Sequence, residues 1–146
     1  MQEILERLLA SAHAVIAASR EAGPRPDTEW PAHVVLGHLA DVDVEVWRAR
    51  VALMLGAQRA GLEPPSLAWW EPDAEQTRAH YTSWTLDETA ATFLDGRRLL
   101  IADVQDLTDA ELDASARHAT YGIIDIRELL RIALRHDVEH AQSLTD

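Results

Sequence analysis

Histidine has the widest chemical reach of any side chain in this sequence, and there are seven among 146 residues. His136 and His140 stand four apart in the stretch Arg135-His136-Asp137-Val138-Glu139-His140. On a helix turning about 100° per residue they fall within about 40° of each other, in a sector shared with Leu129, Ala133 and Leu144. Two imidazoles so placed on a buried stripe are spaced for one divalent ion to bridge successive turns. The competing reading is a pair of core histidines satisfied by carbonyls or water, although neighbouring buried rings need partners and repel if both charge. His38 offers a third inward imidazole, on an apolar face with Val34, Val42, Ala49 and Leu53. A bundle that pairs the two faces brings three imidazoles together. Asp41 and Glu45 flank the His38 face, about one and two turns away, as candidates to take a proton or orient a substrate. A solvated helix edge is the alternative for both. His33 lies about 140° around the helix from His38, and His118 falls in a loop where it could sit at a pocket mouth.

The remaining composition removes much other chemistry. With no cysteine there is no disulfide framework, Cys-ligated zinc, iron–sulfur cluster or thiol nucleophile. All 13 basic residues are Arg, so lysine Schiff bases and P-loops are out. A net charge of −12 makes a poor partner for phosphate backbones, so nucleic acid is not expected. No apolar run approaches the ~18 residues of a membrane span, and a cytoplasmic protein is expected. His136 to His140 matches H-x-x-E-H, yet only six residues follow, too few for that protease arrangement. No His has Glu three residues before it, which excludes a di-iron carboxylate bundle.

The elements that must position the histidines are helices, with no segment reading convincingly as strand. The first runs over roughly 2–20 on the stripe Ile4, Leu5, Leu8, Leu9, Ala12, Val15 and Ile16, and Gly23-Pro24-Arg25-Pro26-Asp27 ends it. The second runs from about Pro31 to about Ala60, closed by Gly61 and Pro64-Pro65. A loop over 61–73 holds Trp69-Trp70, a pair costly to leave in water and expected over the mouth of something. A short helix follows near 73–83. Capping boxes at Thr85/Glu88 and Thr108/Glu111 open a long helix and a short turn, and Asp125 with Glu128 opens the last helix. The expectation is an all-α four-helix bundle, residues 1–146 as one domain, with a long second connection and short extra helical turns.

Two blocks carry a resemblance. Trp30-Pro31-Ala32-His33 running on to Gly37-His38-Leu39-Ala40-Asp41, and His118-Ala119-Thr120-Tyr121-Gly122 with the later Arg135-to-Gln142 stretch, are similar to motifs of the DinB/YfiT-like superfamily. That resemblance implies a divalent metal, zinc or nickel most often, held by His38, His136 and His140 in a bundle that is usually a homodimer. It also implies transferase or isomerase chemistry with low-molecular-weight thiols in some members and no assigned reaction in many. Inner-face arginines able to hold an anionic thiol are nearly absent here apart from Arg97, which interrupts the apolar stripe of its helix.

Three neutral imidazoles leave a divalent ion its full charge and an open position, so a bound water would titrate near ~7. The sequence does not choose between hydroxide and thiolate at that position, hence between a hydrolase and a thiol-dependent transferase. A non-catalytic, stress-related dimeric bundle that binds a metal or a ligand is the reading from another class. Asp137 could accept a ring N–H from a ligand, and Trp69, Trp70 and Tyr121 could line a pocket. Leu36, Trp47, Val51 and Met54 form a second apolar stripe opposite His38. A helix apolar on two faces is buried on both, and a homodimer interface sensitive to Trp47→Glu is expected.

Overall fold

The computed structural model describes residues 1–146. Helix α1 (Gln2–Glu21) buries Ile4, Leu8, Ala12 and Val15 of the predicted stripe, leaves Leu5, Leu9 and Ile16 partly buried at its edges, and stops where Ala22 turns extended ahead of Gly23-Pro24. The next long helix has three parts: α2 (Ala32–Val42), a π-helical segment (Asp43–Arg48) and α3 (Ala49–Arg59). Helix α4 (Ala74–Tyr81) starts on an Asp73 cap that accepts the Gln76 N–H at 3.0 Å. Helix α5 (Leu86–Val104) and the turn α6 (Asp109–Leu112) open on complete capping boxes, Thr85 with Glu88 and Thr108 with Glu111. Helix α7 (Ile126–Thr145) opens on Asp125, which accepts the Glu128 N–H at 2.8 Å. The four long helices form the expected bundle, with α2 packed on α5 and α1 on α7.

One expectation is corrected. Residues before α7 form an antiparallel hairpin, β1 (Ser115–His118) with β2 (Gly122–Asp125), in the register Ala116 to Ile124 and His118 to Gly122. Its three-residue connection runs into Gly122 at φ +72°, a backbone state a side chain would resist. Ala116 and Ile124 point into the core while Ile123 is exposed, so alternation is present but only four residues long. The second connection is pinned to this hairpin, because Arg117 N–H donates to Pro65 O at 2.8 Å and Leu67 N–H to Arg117 O at 2.9 Å. That anchor delivers Ala68-Trp69-Trp70 to one end of the bundle.

Between the two apolar clusters of the core lies a charged knot. Arg97 is 0% exposed and spans Asp43 and Asp137. Its guanidinium donates to Asp43 at 2.9 and 3.1 Å, to Asp137 at 2.7 and 3.1 Å, and to the Leu8 carbonyl at 2.8 Å. Ser11 Oγ adds a bond to Asp137 at 2.6 Å. Residues from α1, the π segment, α5 and α7 thus meet at one cation. A buried pair contributes little net stability but penalises other packings, because each carboxylate is satisfied only when all four helices are in register.

The apolar stripe of Leu36, Trp47, Val51 and Met54 is also buried within the chain, at 0–5% exposure. The two-faced helix is therefore enclosed by its own fold. Its apolarity gives no argument for a subunit boundary, and Trp47→Glu would strike the core.

Candidate metal centre

His38 comes from α2, and His136 and His140 from consecutive turns of α7. Each offers one ligand atom such that all three atoms lie within 4.8 Å of one another. Ring centroids are 5.9 Å apart for His38 and His136, 5.1 Å for His38 and His140, and 4.5 Å for His136 and His140. The two distant stretches of sequence do converge.

The donor set fits a divalent cation. Tetrahedral zinc with Zn–N of 2.0–2.1 Å spaces neighbouring nitrogens about 3.3 Å apart, and Nε2 of His136 and Nε2 of His140 are 3.2 Å apart. No carbonyl or other protein group satisfies the buried Nδ1 atoms of His38 and His136. Burial holds all three rings neutral, the form that ligates. His38 is pushed down to about 3, by burial first and then by repulsion from His140 and His136. His140 is lowered to about 4 by burial and by His136, and His136 is lowered by burial.

The histidines sit in the wall of a cavity of about 400 Å³ that is mainly apolar and aromatic. Trp30 packs on His38 at 4.9 Å between centroids, Trp70 stacks on it at 6.1 Å and 24°, and Trp47 meets His136 edge-on at 5.9 Å. Trp69 and Trp70 line the cavity as expected, Trp69 standing 79% exposed. Tyr121 is half exposed and packs on His118 and under Arg135.

Other predicted roles move. Asp41 and Glu45 do not share the cavity with the histidines but line a neighbouring cleft with Asp73, Gln76 and His80. Asp41 accepts the Tyr81 hydroxyl at 2.6 Å, and burial raises its pKa. Glu45 is exposed. Trp70, Glu71 and Pro72 border both spaces and divide them. Asp137 accepts no hydrogen bond from His136; its two oxygens accept from Arg97 and Ser11 instead. Arg97 is sealed in the core, and the arginine that lines the cavity is Arg50.

The π segment explains the exchange. Residues that bond i to i+5 advance by less than 100° each, so a straight-helix wheel fails beyond Val42. On such a wheel Arg50 is about 120° from His38 and Trp47 is opposite it. The wider turns rotate both towards the His38 face and turn Glu45 off it. No sequence feature marks those wider turns. His118 does line the cavity, its Nδ1 accepting the backbone N–H groups of Thr120 at 3.0 Å and Tyr121 at 3.3 Å.

With the bundle, its hairpin and the three converging histidines described, the sequence supplies the class: residues 1–144 match the sequence profile of the DinB superfamily. The chain belongs to the DinB superfamily. Among solved structures it is similar to YfiT from Bacillus subtilis, a probable metal-dependent hydrolase with an unusual four-helix bundle topology. The match has a TM-score of 0.72 at 19% identity and covers 99% of this chain and 83% of that one, which establishes a common fold. No curated protein matches the chain. No helix is long and apolar enough to cross a membrane.

Proposed function

We propose that the protein is a metal-dependent enzyme acting on a small substrate, with His38, His136 and His140 as the ligands of one divalent ion. The observation that carries this reading is three neutral, inward imidazoles with ligand atoms within 4.8 Å, opening on a cavity sized for a small molecule. Nitrogen donors of this kind suit zinc or nickel. The ion would supply Lewis-acid polarisation of a substrate and activation of a small nucleophile near neutral pH. The chain's own part is to hold the rings neutral by burial, to shield them from bulk water with Trp30 and Trp70, and to fix the angle between α2 and α7 through Asp43, Arg97 and Asp137. A hydrolase is the preferred reaction class, supported by the likeness to YfiT. A thiol-dependent transferase uses the same open position, with a low-molecular-weight thiol as cosubstrate.

One observation favours a second reading, a bundle that binds a metal or ligand without turnover. With Asp41 and Glu45 in the neighbouring cleft, Glu71 is the only carboxylate in the cavity wall, so groups for proton transfer are few. A homodimer remains part of the proposal, with Val44 and Leu53 of the second long helix among the exposed apolar residues open to it; a single-chain mass by light scattering would remove it.

Protein purified without a histidine tag should carry about one divalent ion per chain, and His136→Ala should lose most of it while keeping the helical far-ultraviolet signal. A full metal complement in that variant would refute the ligand assignment. A screen of esters and amides in one arm, and of thiols with electrophiles in the other, separates hydrolase, transferase and non-catalytic binder.

A further inference from the structure

Twenty-five acidic residues face 13 arginines in this chain, and ten of the arginines sit within ion-pair distance of a carboxylate. Arg50 does not, although it is half-buried, and it is the only arginine in the cavity wall. One hydrogen bond, from Nη2 to the Ala68 carbonyl at 3.0 Å, holds the guanidinium in place and leaves its other N–H donors free. A partly desolvated cation lacking a counter-ion, in a protein of net charge −12, is a costly arrangement unless something else supplies the anion.

The hairpin adds a second donor beside it. Because Nδ1 of His118 accepts two backbone N–H groups, the proton of the neutral ring belongs on Nε2. Burial and the nearby Arg50 charge lower the His118 pKa, so the ring is neutral at pH 7 and acts as a donor. The rest of the cavity wall is largely tryptophan and aliphatic, with Glu71 its one carboxylate, not within ion-pair distance of Arg50.

We infer that Arg50 and His118 form a carboxylate-binding subsite, so that the cavity selects a small substrate with an apolar body and an acidic end. Arg50 follows His38 by twelve residues on one continuous helix, three to four turns away, and its side chain leans back towards the helix N-terminus. The acidic end therefore sits at the hairpin side of the cavity while the rest of the molecule extends past Trp47 and Trp70 towards the three histidines. Guanidinium–carboxylate pairing is the strong, directional contact, and the imidazole N–H fixes which oxygen faces the hairpin. This subsite rests on the proposed function for its purpose, but it binds by chemistry independent of a metal.

The test uses 3-phenylpropionate and its uncharged amide as a matched pair, read by quenching of tryptophan fluorescence and by calorimetry, on zinc-treated and on metal-free protein. The acid should bind at least tenfold tighter than the amide in both forms. Arg50→Gln should abolish that preference without changing metal content or melting temperature, Arg50→Lys should retain part of it, and His118→Gln should weaken it severalfold. Equal binding of acid and amide by the wild-type protein overturns the subsite, as does failure of the acid to bind. A preference that survives Arg50→Gln, or that appears only with zinc, also overturns it, because the ion would then be holding the carboxylate. If the protein holds no metal yet keeps an Arg50-dependent preference, the metal reading fails and the subsite stands.

Discussion

At the scale of single residues, electrostatic roles follow from which charges were left with partners. Arg97 interrupts an apolar stripe, which in the sequence looks like a pocket-facing cation; in the fold it is consumed by Asp43 and Asp137. Burial pushes the Asp43 carboxyl up to about 6, against the pull of Arg97, and the Asp137 charge adds to the rise. Removing the cation alone should be expensive. Arg97→Leu strands two buried carboxylates and should cost about 3–5 kcal/mol in urea unfolding, with partial recovery when Asp43→Asn is added. Little change on Arg97→Leu would contradict the knot. The three histidines were legible because imidazoles at i and i+4 on an apolar face are costly to bury unless they share a ligand. Arg50 was not, since nothing in its neighbours distinguishes an arginine facing a cavity from one facing solvent.

At the scale of elements, capping chemistry and apolar period placed the four long helices. Thr85, Thr108 and Asp125 each cap the element expected of them. What escaped was set by tertiary packing. The hairpin strands are four residues each, too short for a period to register, and the π segment is a local change of pitch within which Asp43, Val46 and Trp47 are buried. Packing of α4 on α2 depends on one small residue: a Cβ on Gly37 would lie 2.5 Å from the Tyr81 ring. Gly37→Ala should therefore destabilise by about 1–3 kcal/mol through overpacking. Combining it with Tyr81→Leu should cost less than the sum of the two single changes. Additive losses would mean that the two residues do not press on each other.

At the scale of the whole molecule, stability and function meet in the protonation of the site. His38 and His140 titrate near 3 and 4 in the fold against about 6.5 when unfolded. Below pH ~6.5 the unfolded chain takes up protons that the folded one refuses, so stability is full above that pH and declines as pH falls through the folded values. Asp43 works in the opposite direction, gaining a proton in the fold near pH 6 that the unfolded chain takes only near 3.8. Two histidines displaced further than one carboxylate prevail. The melting temperature of metal-free protein should fall from pH 7 to about pH 4.5, and His38→Ala should flatten that slope; a profile that does not fall contradicts the buried neutral triad. The bundle and the convergence of the three histidines were thus readable from types and spacing, while the cavity wall depends on a hairpin, a strap and a pitch change that arise only when the chain closes on itself. The most direct test of the three-histidine centre is an anomalous-scattering map at the zinc absorption edge from crystals of zinc-treated protein. A single strong peak bonded to His38, His136 and His140 is the predicted result. A map with no peak among those rings, or one in which His38 stands clear of the ion, would contradict it.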